Sequence, residues 1–170
     1  MVAGKFQVSV DLRDLKEAKK TFDAMGTLPA KIVTAAARRG ATVTRKAVKN
    51  SGAMPEDTGT MRKALRTKRE KSRYKGKKVY EVIFDPALNA YLQRPIKNPG
   101  EAGGKSPKAY YPASMEYGFL TRSKGGGISY FPGFHFMAKE GEAVRGEVRA
   151  EMAKKFNEAI QKEWTRRHGT

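Results

Sequence analysis

A run of positive charge between residues 62 and 78 limits what this chain can fold into more than any other feature. These residues hold ten lysines and arginines and a single acid, Glu70. The basic side chains cannot all be neutralised within the segment, and an unpaired charge is very costly to bury. We therefore predict an exposed basic arm that contains Arg62, Lys63, Arg66, Lys68, Arg69, Lys71, Arg73, Lys75, Lys77 and Lys78.

The whole chain shares this excess, with a formal net charge of +18 over 170 residues. Such an excess opposes compaction and favours a polyanionic neighbour. Nucleic acid is the first candidate and an anionic membrane surface the second, with a merely solvated basic surface as the plain alternative. The length fits one domain spanning residues 1–170. Because cysteine is absent, disulfides, thiol catalysis and cysteine-based zinc sites are excluded.

Segments that would direct the chain to a membrane are not recognisable. No stretch approaches the roughly 20 apolar residues that a membrane-spanning helix needs. The N-terminal sequence MVAGKFQVSVDL alternates like a strand and lacks the apolar centre of a signal peptide. We therefore expect no membrane partner, and the composition is compatible with a reducing cytoplasm.

Helical spacing of apolar and small residues predicts the main helix at about 28–50, with Pro29 in its first turn. A strand at 6–12 and a shorter helix at 14–25 are predicted before it. The small residues of the main helix would let another element approach closely.

Two antiparallel strands are predicted around the basic arm, at 65–73 and 78–84, because β-branched and aromatic residues flank a glycine turn there. A helical turn at 60–65 is expected to precede them, with Asp57 or Thr58 as its N-cap.

The second half of the chain is predicted to hold little regular structure before its last helix. Residues 85–109 are rich in Pro, Gly and Lys, which is typical of a long, flexible loop. Residues 110–127, YYPASMEYGFLTRSKGGG, are expected to form a shaped connector with a mobile glycine tip. The last helix is predicted at about 138–167. Its apolar residues step by four, which makes the stripe wrap around the helix, so that it could face two different partners or imply a bend.

Together these elements predict an α+β fold. A small antiparallel sheet is expected to pack against the long Ala-rich helix and the C-terminal helix, with a protruding basic β-hairpin and long loops.

No combination of residues points strongly to catalysis. His135 and His168 are far apart and have no metal-type spacing. The segment GEAGGKS at 100–106 is one residue short of a phosphate-binding loop, and it lacks the preceding strand and following helix that the mechanism needs. We therefore predict no enzyme, no metal, no cofactor and no small-molecule substrate, and keep a nuclease or hydrolase as a remote alternative.

Two motifs stand in an order that resembles a known family. The first is PEDTGTMRKAL, with Thr58 and Gly59. The second begins some fifty residues later and contributes Tyr111, Glu116, Tyr117, Gly118, Pro132, Phe134, Phe136 and Ala138. Their order resembles the head–tail connection proteins of tailed bacteriophages, which include neck, tail-completion and lambda minor tail protein Z-like components. Phe119 departs from the threonine that is common there.

The resemblance, which extends over about residues 28–165, implies a structural virion protein. Such a subunit would form a ring of six or twelve copies at the junction of capsid and tail, after assembly in the host cytoplasm. Its partners would be other copies of itself, neighbouring connector, terminator or tail-tube proteins, and genomic DNA in the channel. Glu116 would either accept backbone N–H groups from a turn or pair with an arginine of the arm, and Thr58 would cap a turn.

Other interpretations remain open at this point. The chain could be a monomeric nucleic-acid-binding protein without sequence specificity, since phosphate contacts give affinity without reading bases. The arm could face DNA, an acidic protein surface or solvent alone. Both motifs could also be turns of the fold that contact no partner.

Overall fold

The computed structural model describes residues 30–56, 59–71, 77–96, 108–123 and 125–168. The predicted strand at 6–12 and helix at 14–25 lie outside these residues. The described helices are α1 (Ala30–Asn50), α2 (Thr60–Ala64), α3 (Tyr111–Tyr117), α4 (Phe136–Ala143) and α5 (Arg145–His168). The described strands are β1 (Leu65–Arg69), β2 (Tyr80–Phe84), β3 (Gln93–Pro95), β4 (Lys108–Tyr110), β5 (Phe119–Arg122) and β6 (Ile128–Phe131).

The predicted α+β class is confirmed. The described strands form antiparallel pairs, β1 with β2, β3 with β4 and β5 with β6. The strands predicted around the basic arm are β1 and β2, in a register that sets Leu65 opposite Phe84 and Arg69 opposite Tyr80. Residues 72–76, between these two strands, lie outside the described part of the chain.

Helix α1 is the centre of the packing. Its buried face combines apolar and small residues, as the spacing predicts, and it contacts β1, β2, α4 and above all α5. A Cβ added at Gly40 would lie 2.5 Å from the sulfur of Met152 on α5. The absence of a side chain at Gly40 therefore lets the two helices approach each other closely.

The core is divided into clusters along the length of α1. Near the end of α1, Val48 packs with Leu65, Val82 and the fully buried Phe136, which joins α1 to the β1–β2 pair and to α4. Near the start of α1, Ile32 and Ala36 pack against Phe156 of α5, and between these two clusters Ala37 and Val43 pack against Val148 and Met152 of α5.

The last helix differs from the single helix predicted at about 138–167. Helix α4 ends at Val144, whose φ of −93° and ψ of 7° are not helical, and α5 begins directly after it. Along α5, Val148 and Phe156 are buried, whereas Trp164 is 48% exposed. Sixteen residues at about 100° each bring Trp164 about 160° around the helix from Val148. The stripe therefore wraps around the helix, as its four-residue step implies, and regular helical geometry is interrupted at Val144.

Two predictions of irregular structure are wrong. The segment 85–109 contains a 3₁₀ turn at Pro86–Leu88 and the strand β3, which pairs with β4, while residues 97–107 lie outside the described part. The segment 110–127 holds α3 and β5 rather than a connector without regular structure. Helix α3 has only seven residues, too few for a helical apolar pattern to become visible in the sequence.

Candidate assembly hairpin and basic surfaces

The two halves of the second motif meet at Glu116. Its carboxylate, only 3% exposed, accepts the backbone N–H of Met137 at 2.9 Å and that of Ala138 at 3.1 Å. These N–H groups belong to the first turn of α4 and have no partner inside the helix. His135, the N-cap residue of α4, makes no capping bond with its side chain. Glu116 therefore caps α4 from the end of α3, and its negative charge suits a helix N-terminus.

Backbone hydrogen bonds strengthen the same junction. The N–H of Phe134 donates to the carbonyl of Met115 at 2.8 Å, and that of His135 to the carbonyl of Glu116 at 3.1 Å. His135 adopts a positive φ of 52°, a conformation that a non-glycine residue adopts at a cost. Of the two roles predicted for Glu116, the structure shows the first, acceptance of backbone N–H groups, with a helix rather than a turn as the donor.

Two glycines close this junction. Gly118 has a φ of 91°, and a Cβ there would lie 2.1 Å from the carbonyl oxygen of Phe131. Gly133 has a φ of 77°, and its Cβ would lie 2.6 Å from the carbonyl oxygen of Glu116. No side chain fits at either position, so the chain can leave α3 and return to α4 only with glycine at both.

Strands β5 and β6 rise from this root as a hairpin, which we call the assembly hairpin (residues 119–131). Leu120 lies opposite Tyr130, and Arg122 opposite Ile128. The Tyr130 hydroxyl donates to the carbonyl of Tyr117 at 2.8 Å. Phe119 and Phe131 lie on the face of the hairpin opposite to Leu120 and Tyr130, and their ring centroids are 5.1 Å apart. The ring of Phe134 meets that of Phe131 edge-on, with the centroids 5.3 Å apart.

The face of the assembly hairpin that carries Leu120 and Tyr130 is open and largely apolar, and it also carries Arg122, which lies opposite Ile128. Leu120 is 55% exposed, Ile128 68% and Tyr130 61%, and cross-strand alternation places all three on the same side. The two strands pack against each other, and no other described helix or strand packs extensively against them. A two-stranded hairpin alone is marginally stable in water, and a contiguous exposed apolar patch commonly marks an interaction site.

The remaining motif residues lie in different surroundings, and two of them, Gly59 and Tyr111, line one small pocket together with Tyr91 and Arg94. Phe136 is completely buried, Tyr111 donates its N–H to the carbonyl of Leu92 at 2.8 Å, and Pro132 lies exposed at the end of β6. Burial first, and the Glu116 carboxylate second, raise the pKa of Tyr117. Thr58 and its predicted cap lie outside the described residues, and Gly59, at a φ of 66°, is the N-cap residue of α2.

The basic arm is less uniform than the sequence predicts, and Arg62 does not belong to its exposed surface. The Arg62 side chain is 19% exposed and forms an ion pair with Glu56 at 2.9 Å. It also donates to the carbonyls of Lys49, Ser51 and Met54. Arg62 therefore provides hydrogen-bond donors for backbone carbonyl groups at the C-terminal end of α1 and in the loop that follows α1. Hydrogen bonds to backbone oxygens over eight to thirteen residues of separation are not visible in a charge pattern.

The other described arm residues point outward. Arg66 pairs with Asp85 at 3.0 Å, a partner from beyond the segment. Exposed positions are Lys63, Arg66, Lys68, Arg69, Lys71 and Lys77, with Lys78 half-buried, whereas Arg73 and Lys75 lie outside the described part. The arm thus keeps a basic surface of the kind predicted, without Arg62 and with Arg66 partly neutralised.

Sequence reasoning missed the assembly hairpin as an exposed apolar surface. Its signal was present, since Leu120, Ile128 and Tyr130 alternate with polar residues on both sides of a glycine-rich turn. The glycines and the three preceding tyrosines made the segment resemble a loop.

Within the described ranges, no three acidic or histidine side chains converge as metal ligands would. None of the helices there is long and apolar enough to span a membrane.

A scan against models of known protein families, a search of curated proteins and a search of solved structures each found no match for this chain.

Proposed function

We propose that this chain is a structural subunit of a tailed-phage virion, which forms a ring at the head–tail junction or tail end and helps join the tail to the DNA-filled head. The observation that carries the proposal is the assembly hairpin, whose Leu120, Ile128 and Tyr130 are more than half exposed on one face, with no described helix or strand packed extensively against it. In this role the hairpin docks on the next copy of the chain.

The position of the motif residues supports this role. Glu116, Gly118 and Gly133 build the root of the hairpin, and the residues that resemble the phage connection proteins are concentrated there. A rigid root holds the apolar face in one direction, which lowers the ordering cost of binding a neighbour. Docking of one surface onto a different surface of an identical subunit closes into a ring when the rotation fits.

The charge supports the same proposal. A ring of subunits that each carry +18 repels itself unless a polyanion fills it or acidic neighbours surround it. The DNA channel at a head–tail junction provides the first of these. In this role the exposed lysines and arginines of the arm face the channel or an acidic partner ring.

The test is the oligomeric state of the full chain, measured by sedimentation over a range of concentrations and salt. We expect wild-type protein to form closed assemblies of one defined size, and the L120K/I128K variant to sediment as a monomer. The control is Y91K, which places a single lysine at an exposed apolar position outside the hairpin, where Tyr91 is 67% exposed, and which should assemble normally.

The second candidate, a monomeric nucleic-acid-binding protein, is favoured by the charge alone. A wild-type chain that stays monomeric at every soluble concentration, yet binds duplex DNA with a steep salt dependence, would refute the ring and support this alternative. The copy number and axial position of this chain in an intact particle would also decide between the ring subunit and the monomeric nucleic-acid-binding protein. A ring of six or twelve copies on the axis supports the proposal, and the absence of the chain from the particle contradicts it.

A further inference from the structure

Helix α1 carries a second basic surface, apart from the arm. Its 21 residues include six lysines and arginines and no acid. Two of the cations are paired with α5, Lys31 with Glu163 and Arg39 with Glu151, each at 2.6 Å. The remaining cations, Arg38, Arg45, Lys46 and Lys49, form no ion pair with any residue that the structure describes. We call these four the α1 row.

The α1 row lies on the side of the helix that faces away from the core. On a helix with about 100° per residue, its members fall within a sector of about 100°, opposite the buried face. Arg38, Lys46 and Lys49 are exposed, and Arg45 is half-buried. From Arg38 to Lys49 the row extends about 16 Å along the helix axis, at about 1.5 Å per residue.

This arrangement has an energetic cost in the isolated subunit. Arg45 and Lys49 are four residues apart, and Lys46 and Lys49 three apart, so like charges are neighbours on the helix surface. The α5 acids that pair with α1, Glu163 and Glu151, bind Lys31 and Arg39 rather than members of the row. An anionic partner along the row would remove the repulsion.

We infer that the α1 row binds the phosphate backbone of duplex DNA. The sector carries cations, one threonine and one alanine, with no aromatic or large aliphatic side chain. Protein interfaces rely on aromatic and other apolar anchors at their centres, and in this chain such anchors lie on the assembly hairpin instead. A DNA duplex carries about one charge per 1.7 Å of axis, so a row of 16 Å meets about ten phosphate charges.

Contacts of this kind position the protein without reading sequence. The inference deepens the proposed function and rests on it for the presence of DNA beside the subunit. It adds α1 to the arm as a surface that faces the channel.

The experiment measures binding of a short labelled duplex by fluorescence anisotropy over a series of salt concentrations. Each phosphate contact contributes about −0.9 to the slope of log K against log salt. The variant R38Q/R45Q/K46Q/K49Q should therefore lose about 3.6 of that slope. The variant R38K/R45K/K46R/K49R, which keeps every charge, should keep the slope.

A matched control removes the same number of charges elsewhere. Lys139, Arg149, Lys154 and Lys162 are exposed on α4 and α5, and K139Q/R149Q/K154Q/K162Q should change the slope by less than about one contact, or 0.9. Two unrelated duplex sequences should bind equally to wild-type protein. Circular dichroism checks that all variants are folded.

Several results would overturn the inference. One is an α1-row variant whose slope falls no further than that of the control. Another is a salt slope that falls in the arm variant K63Q/K68Q/R69Q/K71Q but not in the α1-row variant. A third is a wild-type chain that binds an acidic protein but no duplex at low salt. Sedimentation of the same samples distinguishes failure of this inference from failure of the proposed function. An α1-row variant with normal DNA binding refutes the inference, but normal assembly of that variant leaves the proposed function intact.

Discussion

Removal of the Glu116 carboxylate is expected to destabilise the subunit strongly, although the residue belongs to no active site. Two backbone N–H groups of α4 donate to its oxygens, at 2.9 and 3.1 Å. Hydrogen bonds to a charged group contribute about 1.5–3 kcal/mol each, and a donor left buried without a partner adds to the loss. We therefore expect Glu116→Ala, which removes both bonds, to lower the free energy of unfolding by about 3–5 kcal/mol.

Two further variants separate capping from charge alone. Glu116→Gln keeps one acceptor oxygen but turns an NH₂ group toward the second donor, so it should lose about 1.5–3 kcal/mol, roughly one of the two bonds. Glu142→Gln is the control, because Glu142 is 68% exposed and forms only a surface pair with Arg145 at 3.3 Å. It should cost less than about 0.5 kcal/mol.

Urea unfolding of the full chain, followed by circular dichroism at low protein concentration, measures all three variants without stabilisation by subunit contacts. The expected order of stability is Glu142→Gln above Glu116→Gln above Glu116→Ala. A Glu116→Ala protein within about 1 kcal/mol of wild type would refute the capping argument, since the two bonds together should exceed that value.

Two other substitutions test the core and the hairpin root. Phe156→Ala should cost about 3–5 kcal/mol in urea unfolding, because Phe156 is 4% exposed between α1 and α5, and a loss of only a few tenths would mean that this contact is not made. Gly118→Ala should prevent normal folding or assembly, because its Cβ would lie 2.1 Å from a backbone oxygen, whereas Gly125→Ala has no atom within 4 Å and should behave as wild type. Equal stability and equal sedimentation of the two glycine variants would contradict the described root.

Local patterns were a good guide wherever an element is long or strongly patterned. Helix α1, the β1–β2 pair and most of α5 follow from periodicity and from the chemistry of their side chains. Helix α3 could not be predicted, because a seven-residue helix shows less than two turns of a pattern. The alternation of the assembly hairpin is visible in the sequence, but it covers only four residues on each strand and is easily read as a loop beside so many glycines.

The candidate site shows the same division. A basic arm was predictable from charge alone, but charge does not reveal which cation turns inward. Arg62 binds carbonyl oxygens behind α1, and Arg66 pairs with Asp85, nineteen residues away in sequence. Glu116 was recognised as a residue of interest, yet its donors lie more than twenty residues further along the chain.

The sequence by itself determined the excess of positive charge, the α+β class and the long helices, because each depends on composition or on contacts between neighbours along the chain. Tertiary structure alone decided which charges remain exposed and which face of the assembly hairpin stays uncovered. It also brought Glu116 to the first turn of α4. These features depend on groups that are distant in sequence and meet only when α1, α5 and the strand pairs have packed, so no local pattern can encode them.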